Sequence, residues 1–191
     1  MALGVAGRQL DLLPSLLRPH FDPDGERNLF ALVSGLALLA AAASMAVAWR
    51  RKVLPRTSVI LAAAFAGMAV DEWLELHERF ERRLGVDWEV LYLPIVVLVG
   101  VSGLFAVRRL WRERSSLLLL AGGACWVVAF LLEDLQWDGA NRMHRYYVWM
   151  MIPEELLELG GSLLLAAAAL LVCFKSASRH PPPTSRSVPF E

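Results

Sequence analysis

Residues 28–49 read NLFALVSGLALLAAAASMAVAW, 22 residues without a charge, and RRK follows at 50–52. A helix of that length rises about 33 Å at 1.5 Å per residue, enough to cross a hydrocarbon core of about 30 Å. No water is present there to bond the backbone, so the run must satisfy its own amides and is helical. The same unit of an apolar run closed by charged residues recurs along the chain. It predicts spans at 28–49, 57–78, 88–107, 115–135 and 152–174. The expected fold class is all-α, a polytopic membrane bundle of about five transmembrane helices.

Composition supports this reading, because charged residues make up 20% of the 191 and fall between apolar blocks instead of alternating with them. The formal net charge of zero leaves no footprint for nucleic acid. The basic residues are arginine except Lys52 and Lys175, which suggests a GC-rich coding bias. Cys125 and Cys173 fall inside apolar blocks without CxxC spacing and read as packing residues. Residues 1–27 mix Leu10, Leu12, Leu13, Leu16 and Leu17 with Arg8, Asp11 and Pro14, an interfacial or flexible segment without the pattern of a signal peptide. The first span is then its own insertion signal. Residues 176–191, rich in Ser, Pro and Arg, are expected to be a disordered tail.

Arginine also predicts orientation, since short loops rich in Lys and Arg stay in the cytoplasm. The 50–56 loop holds Arg50, Arg51, Lys52 and Arg56 without an acid, and the 108–114 loop holds Arg108, Arg109, Arg112 and Arg114 against Glu113 alone. Both are placed inside, which puts the N-terminus outside and the tail in the cytoplasm, as for a multi-pass protein of the cell inner (cytoplasmic) membrane. Pro94 falls early in the third span, Gly85 is a natural helix stop, and Gly122 and Gly123 would let a neighbouring helix approach closely.

Acidic residues gather at the outer ends of these spans. Asp71, Glu75 and Glu78 are spaced i, i+4, i+7, a single helical stripe continued by Arg82, with Glu72 offset by about 100°. Glu154, Glu155 and Glu158 cover about a quarter turn of the fifth span, Glu133 and Asp134 close the fourth, and His77 and His144 stand nearby. Asp71 lies roughly 21 Å along its span, inside the hydrocarbon. A carboxylate at membrane depth costs about 2.5–3.5 kcal/mol, so Asp71, Glu72 and Glu158 should face the bundle interior and have partners. Glu154 and Glu155 follow Pro153, where capping of a helix N-terminus explains them equally well. Glu133 and Asp134 stand at a C-terminus, which disfavours negative charge by about 0.3–1 kcal/mol. A metal, a ligand ammonium group, or Arg82, Arg142 or Arg145 would offset them. The i, i+4 pairs Glu75–Arg79 and Glu78–Arg82 also fit a solvated helix extension.

Asp71, Glu72, His77 and Glu78, read with Glu154, Glu155 and Glu158 ahead of Gly160 and Gly161, resemble a pattern in small uncharacterised bacterial multi-span membrane proteins. Those carry a DE, HE signature late in one helix and an EE, E, G signature early in the last. That resemblance implies shared architecture and a shared acidic site. A weaker resemblance is to membrane hydrolases of the alkaline ceramidase type, which hold zinc at a membrane face with acidic and histidine ligands, using several histidines over seven spans.

Three function classes follow. A carboxylate-rich, outward-facing metal site would suit iron, manganese or zinc, although His77 stands at the wrong offset from Glu75 for the Glu-x-x-His motif of carboxylate bundles. Clustered buried acids also serve proton or cation transport, against which stands the lack of acids and bases from Val59 to Val70 and from Gly160 to Phe174. The third class is an accessory subunit that docks a membrane partner protein, or another copy of the chain, by its acidic face. Nucleophile triads, phosphate loops and nucleotide fingerprints are missing from the sequence, so it names no enzyme class.

Overall fold

Asn28 starts the first helix by accepting the Ala31 amide on Oδ1 at 2.8 Å, which satisfies one of the donors a helix N-terminus leaves open. The computed structural model describes residues 28–86, 88–136 and 147–178. The N-terminal segment, the loop containing Arg142, His144 and Arg145, and the tail from 179 lie outside the described residues. Six helices and no strand make up the described part: α1 (Leu29–Arg50), α2 (Pro55–Leu74), α3 (Leu76–Leu84), α4 (Trp88–Arg109), α5 (Arg114–Leu135) and α6 (Tyr147–Ser178). Five of them, all but α3, are long and apolar enough to cross a membrane, and the protein is an integral membrane protein of the all-helical class.

The turn after α1 is a Schellman closure. Val53 N donates to Ala48 O and Lys52 N to Trp49 O, both at 2.9 Å, with Lys52 at φ 58°. Leu54 is left-handed as well, Pro55 opens α2 where a missing amide costs nothing, and Ser58 Oγ donates to Val53 O at 2.8 Å.

Two helix boundaries differ from the sequence reading. The second helix does not run unbroken to the stop expected at Gly85: Glu75 turns left-handed at φ 50°, ψ 48°, ending α2 and starting the separate helix α3, which stops before Gly85 at φ 62°. The cause is local, since the Asp71 side chain takes an amide beyond the break and competes with the helical ladder. In the last span Pro153 does not stand at the start but inside α6, which already runs from Tyr147.

The transmembrane helices pack in the cyclic order α1, α2, α4, α5, α6, and α6 closes back on α1. Three seams carry most of the packing: α1 on α2, α1 on α6, and α5 on α6. Small side chains permit close approach there, with Ala41, Ala48, Ala69, Ala168 and Ala169 buried beside Leu38, Met45, Leu61, Phe65 and Val172. On the α5–α6 seam a side chain at Gly122 would meet the Gly161 carbonyl at 3.0 Å, and one at Gly161 the Gly122 carbonyl at 3.1 Å. Gly123, also expected to serve approach, faces open space. Helix α4 is attached mainly by its last turns, where Ser102, Ala106 and Val107 are buried, while Val90, Leu93 and Val97 are exposed.

Candidate functional site

Asp71 sits in the last turn of α2 and binds three groups. Its Oδ1 accepts from the His77 amide at 3.0 Å and from the Tyr92 hydroxyl at 3.1 Å, and its Oδ2 lies 2.9 Å from His77 Nδ1. The break at Glu75 makes this possible, because it turns the first amides of α3 back toward α2. One carboxylate thereby ties α2 to α3 and, through Tyr92, to α4. With Asp71 ionised it can only accept, so the proton shared with His77 sits on Nδ1.

Glu72, one position on, points elsewhere. It faces Ser34 of α1, whose Oγ lies 2.8 Å from Ser162 Oγ of α6 across the buried α1–α6 seam. Either hydroxyl can donate in the Ser34–Ser162 bond. Each serine neighbours a glycine against which an indole packs. Trp73 occupies the space a Gly35 side chain would need, and Trp126 Cδ1 lies 2.7 Å from where a Cβ on Gly161 would stand. Both indole N–H groups are buried without a hydrogen-bond partner among the described residues. The serines, glycines and tryptophans thus form one layer across α2, α1, α6 and α5, on the side of the core where the acids lie.

Glu158 is half-buried on α6, one turn from Ser162. It lies within electrostatic reach of Glu72, Glu154, Glu155 and Glu133, acids contributed by α2, α5 and its own helix. Glu154 is held by Gln136 Nε2, which donates to its Oε2 at 2.6 Å and links the end of α5 to α6. Among the described residues, no lysine or arginine bonds to Glu72, Glu154 or Glu158.

The structure therefore divides the expected site residues. Glu72, Glu133, Glu154 and Glu155 stand within electrostatic reach of Glu158, and Asp71 with His77 forms a separate clamp. The stripe through Asp71, Glu75, Glu78 and Arg82 is not formed, because the left-handed residue at Glu75 interrupts the helical period. The side chain of Glu78 is outside the described residues, Arg82 is exposed on α3, and Asp134 is exposed at the end of α5. Glu154 and Glu155 stand more than a turn inside α6, so capping a helix start does not account for them. Among the described residues, no three of His, Cys, Asp and Glu stand where they could hold a metal ion.

Ser34, Tyr92, Gln136 and Ser162 were missed from sequence. Ser34–Gly35 and Gly161–Ser162 did carry a signal, a small polar residue beside glycine within an apolar run, which is how membrane helices approach and bond. No curated protein and no solved structure matches the chain. The family model of a domain of unknown function, DUF8692, matches residues 1–174, and the chain belongs to that family.

Proposed function

We propose that this protein loads a cation, in the first instance a proton, onto the Glu72–Glu158 carboxylates from the outer side of the cytoplasmic membrane. One observation carries the reading: Glu158 lies within electrostatic reach of four other carboxylates, and no basic side chain bonds to it among the described residues. Negative charge at membrane depth needs compensation, and two carboxylates in one site do not both ionise cheaply. In this reading a proton or another cation taken up at the site supplies that compensation. The serine pair supports the assignment, since the Ser34–Ser162 bond can run in either direction and Ser34 stands beside Glu72. Beyond Ser162 the α1–α6 seam closes with Leu38, Ala41, Met45, Ala168 and Val172, which favours loading and release at one face over conduction through the bundle. A divalent metal is the second occupant such carboxylates accept, and the proton reading is preferred because three ligands do not gather.

The test is carbodiimide labelling of the protein in its membrane, read by peptide mass spectrometry, because carbodiimides react with protonated carboxyls in apolar surroundings. Glu158 or Glu72 should label, and Glu158→Gln should abolish the adduct on its peptide. If neither residue labels and purified protein retains a stoichiometric divalent metal, the occupant is the metal. If neither labels and no metal is retained, the site reading fails.

A further inference from the structure

At the end of the bundle opposite the acids, Lys52, Arg56, Arg108, Arg109, Arg112 and Arg114 are all exposed. None of the six forms an ion pair or hydrogen bond among the described residues, because the acid between them, Glu113, is taken by Lys175. Arg51 is committed too, its Nη1 donating to Cys173 O at 3.1 Å at the end of α6. The two turns that carry these cations close the same end of the bundle, where α2 starts and the α4 it packs against ends, and Val53, Leu54 and Leu110 all belong to or border the one apolar core. Trp49 and Trp111 are exposed beside them, 46% and 70%, at the headgroup level that tryptophan favours. Above this rim α4 leaves Val101, Leu104 and Phe105 uncovered, an apolar strip that continues the seam into the hydrocarbon.

We infer that the seam between these two turns binds the headgroup of an anionic glycerophospholipid from its own leaflet. The phosphodiester lies between the arginines of both turns, and an acyl chain runs along the bare face of α4. Arginine suits this ligand because its planar fork meets phosphate oxygens in two parallel hydrogen bonds. A lipid is favoured over free phosphate because the cations end at the membrane boundary, between exposed tryptophans and above an apolar strip.

The experiment titrates purified full-length protein in neutral detergent with phosphatidylglycerol or phosphatidylcholine, reading bound lipid by native mass spectrometry and stability by thermal unfolding. Phosphatidylglycerol should bind more tightly and raise the midpoint, and added salt should remove the difference. Arg108→Gln with Arg112→Gln should weaken phosphatidylglycerol binding about thirtyfold and leave the lipid-free midpoint unchanged. Arg83→Gln at the other end should have no effect. Lys52→Gln with Arg56→Gln, on the other turn, gives an independent reading should the first variant fail to fold. Equal binding of both lipids, or full phosphatidylglycerol binding by the folded variants, overturns the inference, and so does stabilisation by inorganic phosphate to the same extent.

Discussion

Asp71 holds groups six and 21 positions further along the chain, the His77 amide and the Tyr92 hydroxyl, with one oxygen at 3.0 and 3.1 Å. A hydrogen bond to a charged acceptor contributes about 1.5–3 kcal/mol, so Tyr92→Phe is expected to lower stability by about that amount. Asp71→Ala should cost more, because it also leaves the His77 amide without its acceptor. Unfolding of both single variants and the double variant in detergent checks this: the two effects should be non-additive by more than about 0.5 kcal/mol. Additive losses would mean that the α2–α4 tie contributes nothing. Lys52 offers a test of opposite sign. At φ 58° its Cβ is strained, and the left-handed conformation costs an L residue about 1–2 kcal/mol relative to glycine, so Lys52→Gly should raise the unfolding midpoint despite losing a charge. At this scale the sequence revealed Gly85 through its position after a charged helix. It did not reveal the Ser34–Ser162 bond, because its ends are 128 residues apart and no period in the chain shows that their helices are neighbours.

Helices α5 and α6 meet backbone to backbone at Gly122 and Gly161, while Gly123, adjacent in sequence, meets nothing within 4 Å. Gly161→Ala places a methyl 2.7 Å from Trp126 Cδ1 and 3.1 Å from the Gly122 carbonyl, and the carbonyl cannot yield without moving α5. The expected cost is about 1–3 kcal/mol, the range for overpacking a close contact. Gly123→Ala should be neutral or stabilise by up to about 1 kcal/mol through helix propensity alone. Equal effects of the two substitutions on the unfolding midpoint would show that the seam is not set by glycine. The same pair shows how far elements were legible. Apolar length and closing charges located the membrane helices, because hydrocarbon thickness dictates both. The break at Glu75 was hidden, because a spacing of i, i+4, i+7 continues a helix only while no side chain captures a backbone amide, and Asp71 does capture one. Pro153 misled in a similar way: proline suits a first turn, but it is also tolerated inside a long membrane helix whose neighbours supply the packing.

Across the whole molecule, Glu72, Glu133, Glu154 and Glu158 lie toward one rim, which also carries Arg79, Arg82 and Arg83 on α3, and Arg56, Arg108, Arg109, Arg112 and Arg114 lie at the other, with an apolar core between them. The order of helices around the bundle was not legible, since apolar faces in lipid carry little record of which neighbour each one meets. Charge asymmetry in the sequence is the basis of the proposal that the arginine rim faces the cytoplasm. Reporter cysteines test that assignment in a background lacking Cys125 and Cys173. Arg83→Cys, on exposed α3, should react with a membrane-impermeant maleimide in intact cells, and Lys52→Cys should react only after permeabilisation. The reverse pattern would turn the carboxylates toward the cytoplasm. The cation site would then load from inside, and the lipid seam would face the other leaflet, so one labelling experiment decides the direction of both. Labelling of both cysteines in intact cells would place the two rims on one side, which five membrane crossings cannot do, and would remove the depth argument on which the acidic site rests.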